Sequence, residues 1–249
     1  MSGHSKWAQI KRKKSATDEK RGQMYGKLLR AIEVAAREGG ANVDGNMTLA
    51  SAVQKARDYS VPVDNIDRAI KRGAGEGGGA RFDEVTYEGF GPGGVALLVE
   101  AMTDNRNRTS SDVRHAFTRL GGNLGDPGSV AWMFDRRGLI VIDKAVAPDE
   151  ERLLEVVLEA GADDLRDAGD QWELVTEPER LADVRTALEE AGIEVVSSEL
   201  TYLPQNSVPV GRDKAESVLR LIEALEDLED VQNVFSNFDI PEEILAEAG

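Results

Sequence analysis

LIVIDKAVAPDEERLLEVVLEAGADDLRDAGDQWELVTEPERLADVRTALEEAGIEVVSSELT, residues 139–201, decides the fold. Its opening Leu139-Ile140-Val141-Ile142 is an apolar run of strand length. A helical period follows over Glu150–Ala160, then strands around Leu165 and over Trp172–Thr176, a helix over Glu179–Ala191 and a strand over Glu194–Thr201. Strand, helix, strand, strand, helix, strand is the ferredoxin-like order, a split βαβ sheet with helices on one face.

Upstream, Val85–Glu88 and Val95–Met102 read as a hairpin across Gly91-Pro92-Gly93-Gly94. A helix over Ser110–Leu120 and a strand over Val130–Phe134 follow. After Pro204 a helix over Lys214–Leu225 and a strand over Val231–Asn237 remain, enough to complete a second sandwich of the same kind. Residues 138–203 are therefore expected as an inserted domain, and 80–137 with 204–249 as the domain that receives it.

Toward the N-terminus, residues 18–38 show a helical period, with Met24, Tyr25, Leu28, Leu29, Ala31, Ile32, Ala35 and Ala36 on one arc. Gly39-Gly40 stops that helix. A second helix runs from Asn46 to Tyr59 with Leu49, Val53 and Ala56 inward, and Pro62 breaks the chain. Asp64 then caps a third, with Ile66 and Ile70 inward before Gly73. Five glycines in the seven positions Gly73–Gly79 read as a linker. The expected class is α+β: a basic arm and three-helix bundle over 1–75, then two ferredoxin-like α/β sandwich domains, one inserted in the other.

The composition narrows the chemistry. At 249 residues, with 41% apolar but only 5% aromatic side chains, the cores are expected to be aliphatic. The absence of Cys excludes disulfide scaffolds, thiolate zinc sites, iron–sulfur ligation and a cysteine nucleophile. The longest apolar runs are too short to cross a bilayer, and no apolar run stands behind the basic N-terminus as in a secretory signal. A cytoplasmic protein is expected.

The formal charge of −16 conceals a division. Residues 1–75 hold 15 Lys/Arg against 8 Asp/Glu, a net of +7, and residues 76–249 hold 15 against 38, a net of −23. The first thirty residues hold 9 cations and 2 carboxylates, so the whole positive excess lies there. Either the arm binds a polyanion or it folds back on its own acidic domains. Within it, His4, Lys6, Trp7, Lys11, Arg12, Lys13 and Lys14 interleave an aromatic ring with dense cations. Trp7 offers a face to a base or ribose, and the cations neutralise phosphates and release counterions. Lys20, Arg21, Lys27, Arg30 and Arg37 extend the cationic side chains along the first helix. A second candidate is the stretch Asp104–Ser111, where Arg106 and Arg108 sit in a loop running into a helix start and Arg114 continues the charge. Against it stands simple capping by Thr109 or Ser110, with both arginines paired to nearby acids.

Other chemistry finds little support. Gly73-x-Gly75-x-x-Gly78 and Gly89-x-Gly91-x-x-Gly94 match a dinucleotide fingerprint, but the first follows a helix and the second leads into a strand. His4 and His115 are the two histidines, far apart in sequence, and no Gly-x-Ser-x-Gly elbow occurs. No catalytic residue, metal site or cofactor is expected.

The sequence resembles the YebC/PmpR family, which includes the mitochondrial translational activator of cytochrome c oxidase subunit I. The resemblance rests on Gly3-His4-Ser5-Lys6-Trp7, Lys20-Arg21-Gly22, Ala35-Ala36-Arg37-Glu38-Gly39-Gly40 and Thr103-Asp104-Asn105-Arg106-Asn107-Arg108-Thr109. Val113-Arg114-His115-Ala116-Phe117, Gly121-Gly122-Asn123-Leu124-Gly125, Gly128-Ser129-Val130-Ala131-Trp132-Met133-Phe134 and Val231-Gln232-Asn233-Val234 also match. It implies a three-helix domain, two ferredoxin-like domains and a non-enzymatic factor in gene expression. Bacterial members are regarded as transcriptional regulators that bind DNA. Other members look like ribosome-associated translation factors that contact rRNA and relieve stalling at proline runs.

Two cations of the family pattern are missing here. Asn46-Met47-Thr48-Leu49 stands where many members have Asn-Pro-Arg-Leu, and Ser60-Val61-Pro62-Val63 where they have Asn-Met-Pro-Lys. That shifts the expected nucleic-acid contact onto residues 4–37. The partner is expected to be DNA or rRNA, the latter with the ribosome as a further partner, with the chain a monomer and no membrane involved. A protein-docking module is the rival from another class, since ferredoxin-like pairs often serve that role.

Overall fold

The computed structural model describes residues 18–75, 81–147, 150–241 and 243–245, so the arm before Asp18 lies outside the described residues. Helix α1 (Asp18–Gly39) ends where Gly40 takes a φ of +89°, a left-handed turn that glycine enters without steric cost. Asn46 then starts α2 (Met47–Asp58) and anchors it to α1. Its side-chain oxygen accepts from the Leu49 N–H at 3.0 Å, and its Nδ2 donates to the carbonyls of Ala35 and Gly40 at 2.8 Å each. One buried amide thus satisfies backbone groups at the end of one helix and the start of the next.

Helix α3 (Val63–Gly73) begins after Pro62, one residue before the expected cap; Asp64 sits inside its first turn and Pro62 supplies no side-chain bond. It also runs through Gly73, which the sequence assigned to the linker. Gly73 is buried because α3 closes on α1 there. A Cβ at Gly73 would stand 2.4 Å from the Glu33 carbonyl oxygen and 2.7 Å from the Ala36 methyl.

The chain divides into two compact units. The first takes the described parts of residues 32–77 and 136–202. Leu49, Val53, Ala56, Ile66 and Ala69 fill the helical part with Ile32 and Ala36. The sheet of this unit has the order β5-β6-β4-β7, built from β4 (Phe134–Asp143), β5 (Asp164–Asp167), β6 (Gln171–Thr176) and β7 (Ser197–Pro204). Both β4 and β5 pair antiparallel with β6, the ferredoxin-like arrangement. Ile140, Ile142 and Leu174 meet Leu153 and Val157 of α5 (Glu150–Ala160) and Val184 and Leu188 of α6 (Leu181–Glu190). Asp58, at the end of α2, accepts from Arg185 of α6 at 3.1 Å and from the Ser198 N–H at 3.2 Å.

The second unit takes the described parts of residues 2–31, 78–135 and 203–249. Its sheet has the order β3-β1-β2-β9. The hairpin of β1 (Asp83–Phe90) and β2 (Ala96–Thr103) forms its centre, β3 (Asn123–Leu124) pairs with β1, and β9 (Val231–Ser236) with β2. Alternate residues Val95, Leu97, Val99 and Ala101 face Val113 and Phe117 of α4 (Arg106–Arg119) and Leu221 and Ile222 of α7 (Arg212–Glu226). A short parallel pair, β8 (Val208–Pro209) with β10 (Phe238–Asp239), completes it. The fold is α+β, with N-terminal helices followed by two sheet-containing domains. No helix among the described residues is long and apolar enough to cross a membrane.

The expected strand over Val130–Phe134 does not form. Glu88 explains why: its buried carboxylate accepts from the N–H groups of Gly128, Val130 and Ala131 at 2.7, 2.7 and 2.8 Å. Those donors are therefore unavailable to a sheet ladder. Residues Ala131–Met133 make a 3₁₀ turn instead, and Phe134 opens β4.

Two glycine substitutions test the packing of α1. Gly73→Ala should lower stability by about 2 kcal/mol, because backbone as well as side chain must shift. Gly22→Ala, at a position with nothing within 4 Å, should raise it by about 0.5–1 kcal/mol through helix propensity alone. Denaturant titration of both variants reads the opposite signs; a neutral Gly73→Ala would show that α1 and α3 do not meet so closely.

Candidate nucleic-acid interface

The expected contacts His4, Lys6, Trp7, Lys11, Arg12, Lys13 and Lys14 lie outside the described residues. The structure places the others. On α1, Lys20 and Arg21 are exposed; Lys20 lies 3.7 Å from Glu223 of α7, with both side chains about half in solvent. An ion pair so exposed contributes little and yields readily to another anion. Further along, the cations turn inward. Lys27 donates to the backbone carbonyl of Glu226. Arg30 donates to the Met102 carbonyl at 3.1 Å, to Asp230 Oδ1 at 3.2 Å and to Glu229 Oε1 at 3.2 Å, and lies 4.7 Å from the Phe82 ring centroid. Arg37 donates to Glu33, a buried carboxylate that also receives Arg72 of α3 at 3.0 Å.

The second candidate is resolved in a similar way. Helix α4 begins at Arg106, four residues before the expected start, because Asn105 rather than Thr109 or Ser110 caps it by accepting from the Arg108 N–H at 3.1 Å. Arg106 and Arg108 therefore belong to the first helical turn and not to a loop. Arg106 donates to Asp83 at 2.8 Å. Arg108 donates to Asp104 at 2.9 Å and to Asp230 at 2.7 Å. Arg114, two turns on, is exposed and pairs with no carboxylate among the described residues.

Asp230 is the centre of this arrangement, and the sequence offered no sign of it within the acidic run Glu226-Asp227-Leu228-Glu229-Asp230. Its carboxylate is buried and receives Arg30 on one oxygen. The other oxygen receives Arg108, the Thr109 hydroxyl at 2.7 Å and the Thr103 hydroxyl at 3.2 Å. Burial would raise the pKa of the acid. Hydrogen bonds from Arg108 and Thr109, with the Arg108 charge and Thr103, outweigh burial and hold it below the usual carboxylate range. Glu88 behaves alike: burial opposes its ionisation, and the three backbone donors overcome it.

The arrangement defines an α+β protein with a cation-rich leading helix and no cluster of three or more His, Cys, Asp or Glu placed to hold a metal among the described residues. Residues 5–76 match the TACO1/YebC protein N-terminal domain, and residues 82–238 match the TACO1/YebC second and third domain. The chain belongs to the TACO1/YebC family. A relative from Beutenbergia cavernae is 55% identical over 99% of this chain and 98% of its own length. One from Thermobifida fusca is 54% identical over 99% of each chain. Both carry the name "Probable transcriptional regulatory protein". A crystal structure of a conserved hypothetical protein from Aquifex aeolicus superposes with a TM-score of 0.83 at 46% identity, covering 92% of this chain and 94% of that one.

The lowered pKa values of Asp230 and Glu88 fix a sign for stability. A carboxyl group more acidic in the folded than in the unfolded chain contributes its full share above the ordinary carboxylate range. That share is lost as pH falls through and below it. Wild-type protein should therefore lose stability steeply on acidification, and Asp230→Asn should show a shallower acid limb in the same melting series. At neutral pH that variant should cost about 2 kcal/mol, below the usual figure for a broken buried pair because Arg108 is half exposed and already screened by water.

Proposed function

We propose that the chain is a non-enzymatic, cytoplasmic, nucleic-acid-binding regulator of gene expression, with residues 1–37 as the principal grip. The observation that carries this reading is the segregation of charge: the whole positive excess lies in the first thirty residues, ahead of a segment with a net charge of −23. The names of the relatives support it. In this reading residues 1–75 form the binding domain, carried by a sandwich of 80–137 with 204–249 and the inserted sandwich 138–203. His4, Lys6, Lys11, Arg12, Lys13, Lys14, Lys20 and Arg21 contact phosphates and Trp7 stacks on a base. Lys27, Arg30 and Arg37, engaged with carboxylates or carbonyls of the chain, hold the helix that presents them. The acidic body is screened beyond about 8–10 Å at working ionic strength.

A translation reading, in which the target is rRNA on the ribosome, draws on a particular observation. Met47 and Val63, at the starts of α2 and α3, are exposed apolar residues where a base-reading helix would carry Arg, Asn or Gln. A contact made largely with phosphates recognises shape and charge, which suits structured RNA as well as DNA.

Binding measured against salt tests the grip. With roughly six phosphate contacts, the slope of log affinity against log salt on duplex DNA should be near −5. Lys11→Glu, Lys13→Glu and Lys14→Glu combined should abolish most of the affinity. A salt-independent affinity, or an unaffected triple variant, overturns the proposal. Co-sedimentation with ribosomes before and after RNase, set against gel shifts on promoter DNA, separates the two targets.

A further inference from the structure

We propose that the outer face of α4 is a second, independent contact for the sugar–phosphate backbone of a nucleic acid, centred on Arg114 and Arg119 with Ser111, His115 and Thr118. This rests on the nucleic-acid reading above and deepens it by placing a site on the acidic part of the chain. The inner face of α4 is fixed by Thr109, Val113, Ala116 and Phe117, all buried. At 3.6 residues per turn, Ser111, Arg114, His115 and Thr118 emerge on the opposite side, with Arg119 at its edge. All five are exposed.

What singles out this face is how the other cations of residues 76–249 are used. There 38 carboxylates face 15 Lys/Arg, and most cations with a described partner are engaged by acids. Arg106 and Arg108 pair with Asp83, Asp104 and Asp230. Arg137, Arg166, Arg180 and Arg220 pair with neighbouring carboxylates as well. Arg114 and Arg119 have no carboxylate partner among the described residues. Arg81, Arg136 and Lys214 also lack one there, but they stand on three separate segments, whereas Arg114 and Arg119 share one helix. Asp112, the single carboxylate of α4, lies at the Arg119 edge and is outnumbered. Two solvated guanidinium groups on one helix, unopposed by a paired acid, keep their charge available to an incoming anion.

The other groups on the face fit the same ligand. Ser111 and Thr118 stand about 10 Å apart along the helix axis, the rise of roughly three phosphates along one strand of a duplex. The Ser111 hydroxyl can donate to a phosphate oxygen, whereas the Thr118 hydroxyl donates to the Arg114 carbonyl at 2.9 Å and only lines the face. Arg114 flanks the two on one side, Arg119 and His115 on the other. A hydroxyl and arginines on one exposed face position a backbone rather than read base edges. The contact is therefore independent of sequence.

The full-length double variant Arg114→Gln/Arg119→Gln, titrated by fluorescence anisotropy against duplex DNA and single-stranded RNA from about 50 to 200 mM salt, tests this. The salt slope should fall in magnitude by about 1.8 on the duplex and about 1.4 on the single strand. Affinity near physiological salt should weaken roughly thirtyfold on the duplex. Arg114→Lys/Arg119→Lys should restore the slope, and thermal melting should be the same for all three proteins. If the triple glutamate variant of Lys11, Lys13 and Lys14 loses binding while Arg114→Gln/Arg119→Gln keeps the wild-type slope, the α4 contact is overturned and the arm reading stands. If neither variant weakens binding, both fall. Lost affinity with an unchanged slope also overturns the α4 contact, since no phosphate contact, and none of its counterion release, would have been removed.

Discussion

A carboxylate buried at the head of β9 constrains the whole of the second compact unit. Asp230 can stay ionised out of water only if several donors converge on it. They come from Arg30 in α1, Thr103 at the end of β2, and Arg108 and Thr109 in the first turn of α4. Each contact fixes an angle that packing of aliphatic side chains would leave loose. The start of α4, the end of the central strand and the entry of the edge strand are held by the same two oxygens. The leading helix joins them through a guanidinium that also reaches the Met102 carbonyl.

That convergence divides the cations into two kinds. Arg30, Arg37 and Arg108 serve the architecture, each against a buried acid. Lys20, Arg21, Arg114 and Arg119 stay at the surface, and among the described residues only Lys20 of these has an acid beside it, at 3.7 Å in solvent. A cation in a low-dielectric cluster has spent its field on its partner, whereas one in water retains it for an incoming polyanion. Charge counted along the sequence cannot separate the two kinds, because the deciding variable is the distance to a carboxylate remote in the chain.

The regular elements were largely legible because their signals are local. The period over residues 18–38 corresponds to α1, and Glu150–Ala160 is α5 to the residue. Failures occurred where a distant group intervened. The strand expected at Val130–Phe134 was lost to the Glu88 carboxylate, some forty residues earlier. The start of α4 lies four residues ahead of the sequence expectation because Asn105, among several residues able to cap, is the one that accepts from the Arg108 N–H. For the candidate interface, the sequence located basic side chains but not their engagement, since Arg30 and Asp230 are 200 positions apart. Asn46 is intermediate: its place before a helix is an ordinary capping signal, while its two bonds back to α1 depend on the turn at Gly40.

The chain order of the strands carries a consequence for synthesis. β2 is made early, and its neighbour β9 is made only after the four strands of the other sheet have been completed. Until Val231–Ser236 emerges, one side of β2 has unsatisfied backbone groups, and α4 lacks the acid that receives its first turn. Emerging from the ribosome, the chain can close the β5-β6-β4-β7 sheet before the β3-β1-β2-β9 sheet. Truncation shortly before Val231 should consequently leave an aggregation-prone polypeptide with an open strand, whatever nucleic acid it would otherwise have met.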